Sequence, residues 1–175
     1  GFRTEQAKLY TRPARLPNVF IAALSEETAR WAAGWADGLA TVSMPDNKHH
    51  DVLKAFRESG GEDKPAWVQV KLSYDENDEA ALAGACEQWR TNVLAGEVSE
   101  ELRTPRQFED AARSVAAADV RRAVRVSADL DEHIAWLRAD RHAGFDALML
   151  HNVNRAQTRF IEDFGHRVIP AMEER

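Results

Sequence analysis

Two hydroxyl side chains three residues apart, Ser25 and Thr28, stand where the apolar run Val19-Phe20-Ile21-Ala22-Ala23 stops and, after Leu24, turns into a helix. The first backbone N–H groups of a helix lack intrahelical partners and sit at the positive end of its dipole, so such a junction can hold an anion. Ser25 is placed to cap the helix, and Thr28 to aim its hydroxyl at the same spot. Two readings stand: a plain helix cap, or a cap that also takes a phosphate. Glu26 and Glu27 suit the plain cap, because they stabilise the dipole unaided and would repel a phosphate if they pointed at it.

Further along, Lys71 lies mid-strand, on one face with Gln69 and Ser73 and opposite Val70, Leu72 and Tyr74. If that face lines a barrel, the ammonium needs a charge partner or a ligand. His151 closes the last strand, at the end of a parallel sheet where ligands bind. It either lines a cofactor, serves as an acid or base, or is held by Asn152 or Asn154 as structure. Val42 and Ser43 end the second strand, and with Lys71 and His151 they make the candidate substrate pocket. His49-His50, followed by Asp51, is expected at the surface and not at a metal, since neighbours on a helix point roughly 100° apart and rarely share an ion. Cys86 shares a helical stripe with Leu82, Trp89 and Val93 and is expected to pack. No zinc spacing, glycine-rich phosphate loop or Ser–His–Asp order is present.

The elements that must position these residues repeat one pattern: apolar strand, polar turn, helix, glycine, strand. The strands are read at Val19–Ala23, Leu39–Ser43, Trp67–Tyr74 and Asp146–His151. Helices are read at Glu26–Ala33, Lys48–Arg57, from Asp78 to about Leu94, from Pro105 (capped by Thr104) to Val115, at Ala118–Val126, Asp129–His142 and Arg155–Phe164. Residues 95–104 read as a loop. Arg121, Arg122 and Arg125 read as a solvated helix face, and Trp31 and Trp35, i and i+4, as core. Two joints look alike: Gly34-Trp35-Ala36-Asp37 and Gly144-Phe145-Asp146 each offer a helix-ending glycine, an aromatic to plug the helix–sheet gap and an aspartate before the strand. Repeated joints of this kind indicate βα units in a parallel sheet covered on both faces.

The 175 residues, 44% hydrophobic, suit one soluble domain, with residues 1–18 a linker or insertion remnant. The net charge of −6 argues against a nucleic-acid partner, and no apolar run approaches the roughly 20 residues of a membrane span. A single cysteine forms no internal disulfide and suits a cytoplasmic setting. Four strands are half of what a (β/α)₈ barrel needs, and they would leave two open sheet edges. The expectation is therefore that residues 19–175 are the carboxyl-terminal half of a barrel. The other half would come from residues before Gly1, a partner chain or a second copy in a homo-oligomer.

Four segments in order, Val19–Ser25, Ala29–Gly38, Val70–Asp75 and Gly144–His151, resemble the luciferase-like monooxygenase superfamily, and most nearly its coenzyme F420-dependent sugar-phosphate dehydrogenases. The resemblance spans Leu9 to Pro170 and implies strands five to eight of a TIM-type (β/α)₈ barrel. It also implies a flavin-dependent oxidoreductase or monooxygenase doing hydride or oxygen chemistry on a small organic substrate. The cofactor would be FMN, with coenzyme F420 the alternative. The implied cofactor residues are Ala22, Ala23, Leu24, Ser25 and Thr28. Ser25 and Thr28 match the serine and threonine that hold the flavin phosphate in the FMN-using members, whereas the F420 enzymes tend to Ala-Ala-Gly-Gly there, and this departure favours FMN. The sugar-phosphate dehydrogenases place a lysine after strand six where this chain has Pro45, which speaks against glucose 6-phosphate. A different class of protein, a non-catalytic half-barrel acting by association, is the rival.

Overall fold

Short apolar runs separated by helices produce five strands: β1 (Phe20–Ala22), β2 (Gly38–Val42), β3 (Ala66–Ser73), β4 (Arg125–Val126) and β5 (Ala147–Asn152). The computed structural model describes residues 3–8 and 10–173. Gly1, Phe2, Leu9, Glu174 and Arg175, and with them the Leu9 start of the resemblance and the outer bounds of both expected segments, lie outside the described residues. All pairings are parallel: β1 with β2, β2 with β3, and β3 with β5 over Trp67↔Ala147 to Leu72↔Asn152. Among the described residues 3–18, none belongs to a helix or strand.

β4 was not expected. The stretch read as one helix over 118–126 breaks: its helix ends at Ala123, and Arg125 and Val126 pair with Leu72 and Ser73 at the end of β3. They take the edge that β2 leaves free. Gln69 O accepts from Ser43 N at 2.8 Å and Ser73 O from Ser127 N at 3.2 Å, while Leu72 O faces the opposite neighbour, Val153 N, at 2.8 Å. Two residues are too few to carry a strand pattern of their own.

The helices are α1 (Glu26–Ala33), α2 (Lys48–Phe56), α3 (Asp78–Trp89), α4 (Gly96–Glu101), α5 (Pro105–Ala112), α6 (Ala117–Ala123), α7 (Leu130–Ala143), α8 (Gln157–Asp163) and α9 (Ile169–Glu173). α4 lies within the stretch expected as loop. Thr104 caps α5 as expected, and Gln107 reciprocates by accepting from Thr104 N at 3.0 Å. Among the described residues no helix is long and apolar enough to cross a membrane.

Strand alternation divides the sheet into two faces. Ile21, Leu39, Val68, Val70, Leu72, Leu148 and Leu150 pack beneath the helices, against Val52, Leu53 and Phe56 of α2 and Ile134 and Leu137 of α7. Each such side chain, once buried, contributes about 1.5–3 kcal/mol. The residues between them turn the other way: Phe20 and Ala22 on β1, Ala40 and Val42 on β2, Trp67, Gln69 and Lys71 on β3, Met149 and His151 on β5. None of these is fully buried. A second core joins α3 and α6 around Ala81, Ala85, Val120 and Val124, with Leu82, Cys86, Trp89 and Val93 packed against it. Cys86 thus has the packing role read from its stripe.

Both joints use their aspartate in the same way. Asp37 accepts from Val19 N through its carboxylate at 2.8 Å and returns its own N–H to Val19 O at 2.9 Å. Asp146 accepts from Ala66 N at 2.7 Å and donates to Ala66 O at 2.8 Å. Each aspartate therefore fixes the start of a neighbouring strand and sets its register. The aromatics differ. Phe145 fills the gap beneath the sheet, but Trp35 is 48% exposed, and Ala36 takes the buried place because this joint is one residue longer. Trp31, 65% exposed, is not core either. α1 approaches its neighbours through Ala29, Ala32 and Ala33, which leaves the two indoles stacked edge to face on the opposite side. Gly144 ends α7 at φ 107°, a backbone position that side chains avoid.

Asp146→Ala leaves the Ala66 N–H without its acceptor and is expected to lower unfolding free energy by about 1–3 kcal/mol. Urea denaturation measures this, and an unchanged midpoint would show that the clamp is dispensable.

Candidate functional site

At the carboxyl end of β1, Ser25 caps α1 as read from sequence: its Oγ accepts from Thr28 N at 3.2 Å, and its backbone is extended. The Thr28 hydroxyl lies 3.0 Å from the Ser25 hydroxyl, so the two form one exposed polar pair at the helix start. Glu26 does not face it. Its carboxylate bonds Arg30 one turn along the helix, which draws that negative charge away from the amide cluster. Leu24, next to the pair, joins Ala22, Ala40, Val42, Gln69, Met149 and His151 around a cavity of about 320 Å³ on the inner face of the sheet. The structure thus brings together Ala22, Leu24, Val42 and His151, while Ser25 and Thr28 stand at the start of α1 and do not line this cavity. Ala23 is fully buried under the helices and offers only backbone.

His151 is half-buried. Gln69 lies 3.3 Å from its Nδ1, and the Trp89 ring meets it edge to face at 5.1 Å. Asn152 and Asn154 do not hold it; they bond each other and the end of β3, Tyr74 N and Tyr74 O. Lys71 is the register partner of His151 across β3 and β5. It faces a separate cavity of about 660 Å³ bounded by Pro45, Asp46, Asn92, Leu94, Ser114 and Arg122. Burial lowers its pKa. Ser43 does not join the inner wall: it is buried and uses its hydroxyl to accept from Lys71 N at 3.0 Å, tying β2 to β3.

The histidine pair departs from expectation. His49 is fully buried, and both His49 Nε2 and His50 Nε2 lie 2.9 Å from Oδ1 of Asp140, itself fully buried on α7. Met44 N donates to His49 Nδ1 at 3.2 Å, so Nε2 carries the proton and donates to Asp140. Arg125, expected on a solvated face, grips the same carboxylate through Nη1 at 2.6 Å and Nη2 at 3.1 Å. The imidazole nitrogens and the carboxylate lie within 4.8 Å of one another. With a guanidinium on both oxygens and one imidazole already an N–H donor, however, the donor set is that of an ion-pair network and not a metal centre. Burial alone would raise the Asp140 carboxyl; its bonds to His49, Arg125 and His50 outweigh burial and hold it far below the usual carboxylate range. Sequence reasoning missed this cluster because Asp140 lies 15 residues from Arg125 and 90 and 91 from the two histidines.

The network reaches the ligand end of the sheet through Met44. The loop after β2 holds two consecutive residues in the left-handed region, Asp46 and Asn47, both at φ 55°. These residue types tolerate that conformation best, and such strain persists where surrounding bonds over-determine it.

Comparison with known proteins places the chain. The family model described as luciferase-like monooxygenase matches residues 1–147. The chain belongs to that family. F420-dependent glucose-6-phosphate dehydrogenases are among its relatives: that of Segniliparus rotundus is 27% identical over 98% of this chain and 53% of its own length, and that of Amycolatopsis mediterranei 28% over 95% and 52%. The chain spans about half the length of the curated relatives it matches. An F420-dependent secondary alcohol dehydrogenase structure superposes with a TM-score of 0.77 at 19% identity, over 97% of this chain and 53% of that one. The coenzyme F420-dependent tetrahydromethanopterin reductase of Methanopyrus kandleri gives 0.65 at 15%, over 89% and 51%. The fold is that of a partial TIM-type barrel of the luciferase-like group. The relatives carry the F420 name, and FMN as the first cofactor is not supported by them.

Asp140→Ala strands Arg125 and His49 around an empty carboxylate site and is expected to cost about 3–5 kcal/mol. Because the fold depresses this carboxyl, its stabilisation is complete above the unfolded value near about 4 and is lost as pH falls below it. Denaturation series from pH 7 to pH 3 should therefore show the wild type losing more stability than Asp140→Asn. Parallel series would refute the assignment.

Proposed function

We propose that this chain is the carboxyl-terminal half of an F420-dependent oxidoreductase that transfers a hydride to or from a small organic substrate. The observation that carries the reading is that the inner-face cavity of Ala22, Leu24, Ala40, Val42 and Met149 ends in sequence at Leu24, directly before the Ser25–Thr28 hydroxyl pair that opens α1. A coenzyme with a planar ring and a phosphate needs both. The residues present fit it: free amides and two hydroxyls for the phosphate, an apolar surface for the ring. The relatives named as F420-dependent dehydrogenases support this coenzyme over FMN.

In this reading coenzyme F420 supplies the hydride chemistry when bound. Ser25, Thr28 and the first amides of α1 hold its phosphate. Ala22 to Leu24 bring the backbone close, and Met149 and Val42 exclude water. His151, oriented by Gln69, stands at the polar end of the wall, where it can hold or pass a proton at Nε2. The inner face is covered by four further βα units, from the same polypeptide, a partner or a second copy. A second reading, FMN, is favoured by the hydroxyls of Ser25 and Thr28 themselves, which match the FMN-using members of the family.

The test titrates F420 and FMN separately into the protein as the cell makes it, following fluorescence. The double variant Ser25→Gly with Thr28→Val removes both hydroxyls while a glycine cap costs the helix only a few tenths of a kcal/mol. F420 is expected to bind more tightly than FMN, and the variant to bind it at least tenfold more weakly, a loss of about 1.4 kcal/mol. Tighter FMN binding would favour the second reading, and no binding of either would favour an associating half-barrel.

A further inference from the structure

The loop after β2 is strained, and its own residues do little to offset the strain. Asp46 and Asn47 are both left-handed, at φ 55°, and neither is glycine. Asn47 stands at the N-cap of α2 yet makes no capping bond with its side chain. A local tie is Lys48 N donating to Pro45 O. A conformation of this kind persists only where neighbouring contacts fix it. The contact that reaches the loop from outside it is Met44 N donating to Nδ1 of His49 at 3.2 Å. The accepting ring is itself held. Its Nε2 lies 2.9 Å from Asp140 Oδ1, Phe145 stacks on it at 5.9 Å, and Arg125 and His50 hold the same carboxylate. The His49 and Asp140 side chains have no exposed surface, so the arrangement is complete within this chain and no added chain reaches it.

The loop also occupies a dividing position. Pro45 and Asp46 border both the cavity of about 660 Å³ over the end of β3 and the recess of about 380 Å³ beside Trp136. Arg122 and Ala123 at the end of α6 border both as well. The two spaces are therefore separated by this loop and that helix end.

We infer that His49 is a positioning residue: its Nδ1 latches the Met44 peptide and thereby keeps Pro45–Asn47 closed as a partition between the two spaces. With the latch made, a ligand lying over β3 ends at Pro45 and Asp46. With it broken, Asp46 and Asn47 relax to ordinary backbone, the spaces join, and a longer ligand reaches Trp136. The length of ligand admitted is thus set from the helix side of the sheet, by a residue that touches no ligand. The inference concerns the loop whichever coenzyme occupies the inner wall, so it stands or falls apart from the F420 reading.

The test uses the protein as the cell makes it. In the wild type, a coupling through the hydrogen bond between Met44 N and His49 Nδ1, read by NMR on nitrogen-15-labelled protein, detects the latch directly; its absence overturns the proposal whatever the variants do. Two substitutions then separate the ring nitrogens. His49→Asn keeps an acceptor near the Nδ1 position and loses the reach to Asp140, whereas His49→Gln keeps that reach and loses the Nδ1 acceptor. Amide hydrogen exchange follows Met44, with Val70 in the β3 core as the reference. Fluorine NMR of protein labelled with 5-fluorotryptophan follows Trp136, which lines the recess with Met44 and Asn47. His49→Gln is expected to speed Met44 exchange by about tenfold or more and to shift the Trp136 resonance, with Val70 unchanged. His49→Asn is expected to keep both signals close to the wild type. Equal Met44 protection in the wild type and His49→Gln overturns the proposal. Faster Met44 exchange with an unmoved Trp136 signal also overturns it, because the loop then keeps its place without the bond. So does acceleration of Met44 and Val70 together in both variants, which marks a histidine that only stabilises the fold.

Discussion

A strand can hide only every second side chain beneath a helix, and this constraint organises the molecule. On β3 the hidden set is Ala66, Val68, Val70 and Leu72, all without solvent exposure. The helices that cover it spend their apolar surface on that one face. Trp67, Gln69 and Lys71 are thereby turned toward the barrel axis, and the same alternation sends Ala22, Val42, Met149 and His151 to the same side. The packed core and the half-exposed face with its polar side chains thus lie on opposite sides of the same strands. A one-residue slip in any strand would exchange them, which is why the aspartate clamps at the strand starts matter beyond their individual energies.

The Asp140 network extends the division to the ligand end of the sheet. It ties α2, α7 and β4 behind the sheet, and through His49 it holds the Met44 peptide where the chain leaves β2. The loop that follows, with Asp46 and Asn47 in a conformation few residues adopt, is supported from the helix side while it borders the inner cavities. Buried His133 plays a simpler part. Burial lowers its pKa, its Nε2 lies 3.0 Å from Ser127 O, and the rings of Tyr74, Trp136 and Phe164 surround it as packing.

Local signals were legible in the sequence. Ser25 before two glutamates, Thr104 before Pro105 with Gln107 behind, and the alternation over 67–74 each specify an element within one window. So did the Ser25–Thr28 pairing, because both hydroxyls belong to one helix turn. What was not legible depends on distant partners. Arg125 and Val126 become a strand because Leu72 and Ser73 have an open edge there. His49 is buried because Asp140 lies beneath it. Trp31 and Trp35 share a face by spacing, but spacing does not say which face is hidden; the alanines opposite them decide that by letting the helices approach closely. Ser43 ends β2 and, turned by the alternation of that strand, borders the recess of about 380 Å³ beside Arg121 and Trp136 and not the inner wall.

The central claim is that the inner face of the sheet, and not the helix-covered side, receives the redox coenzyme. A crystal structure of the natural protein grown with F420 tests it most directly. The account predicts the ring over Ala22, Val42 and Met149 with its phosphate at Ser25 and Thr28. Density instead in the recess of about 380 Å³ beside Arg121, Glu132 and Trp136, with the inner wall closed by packed side chains, would contradict it.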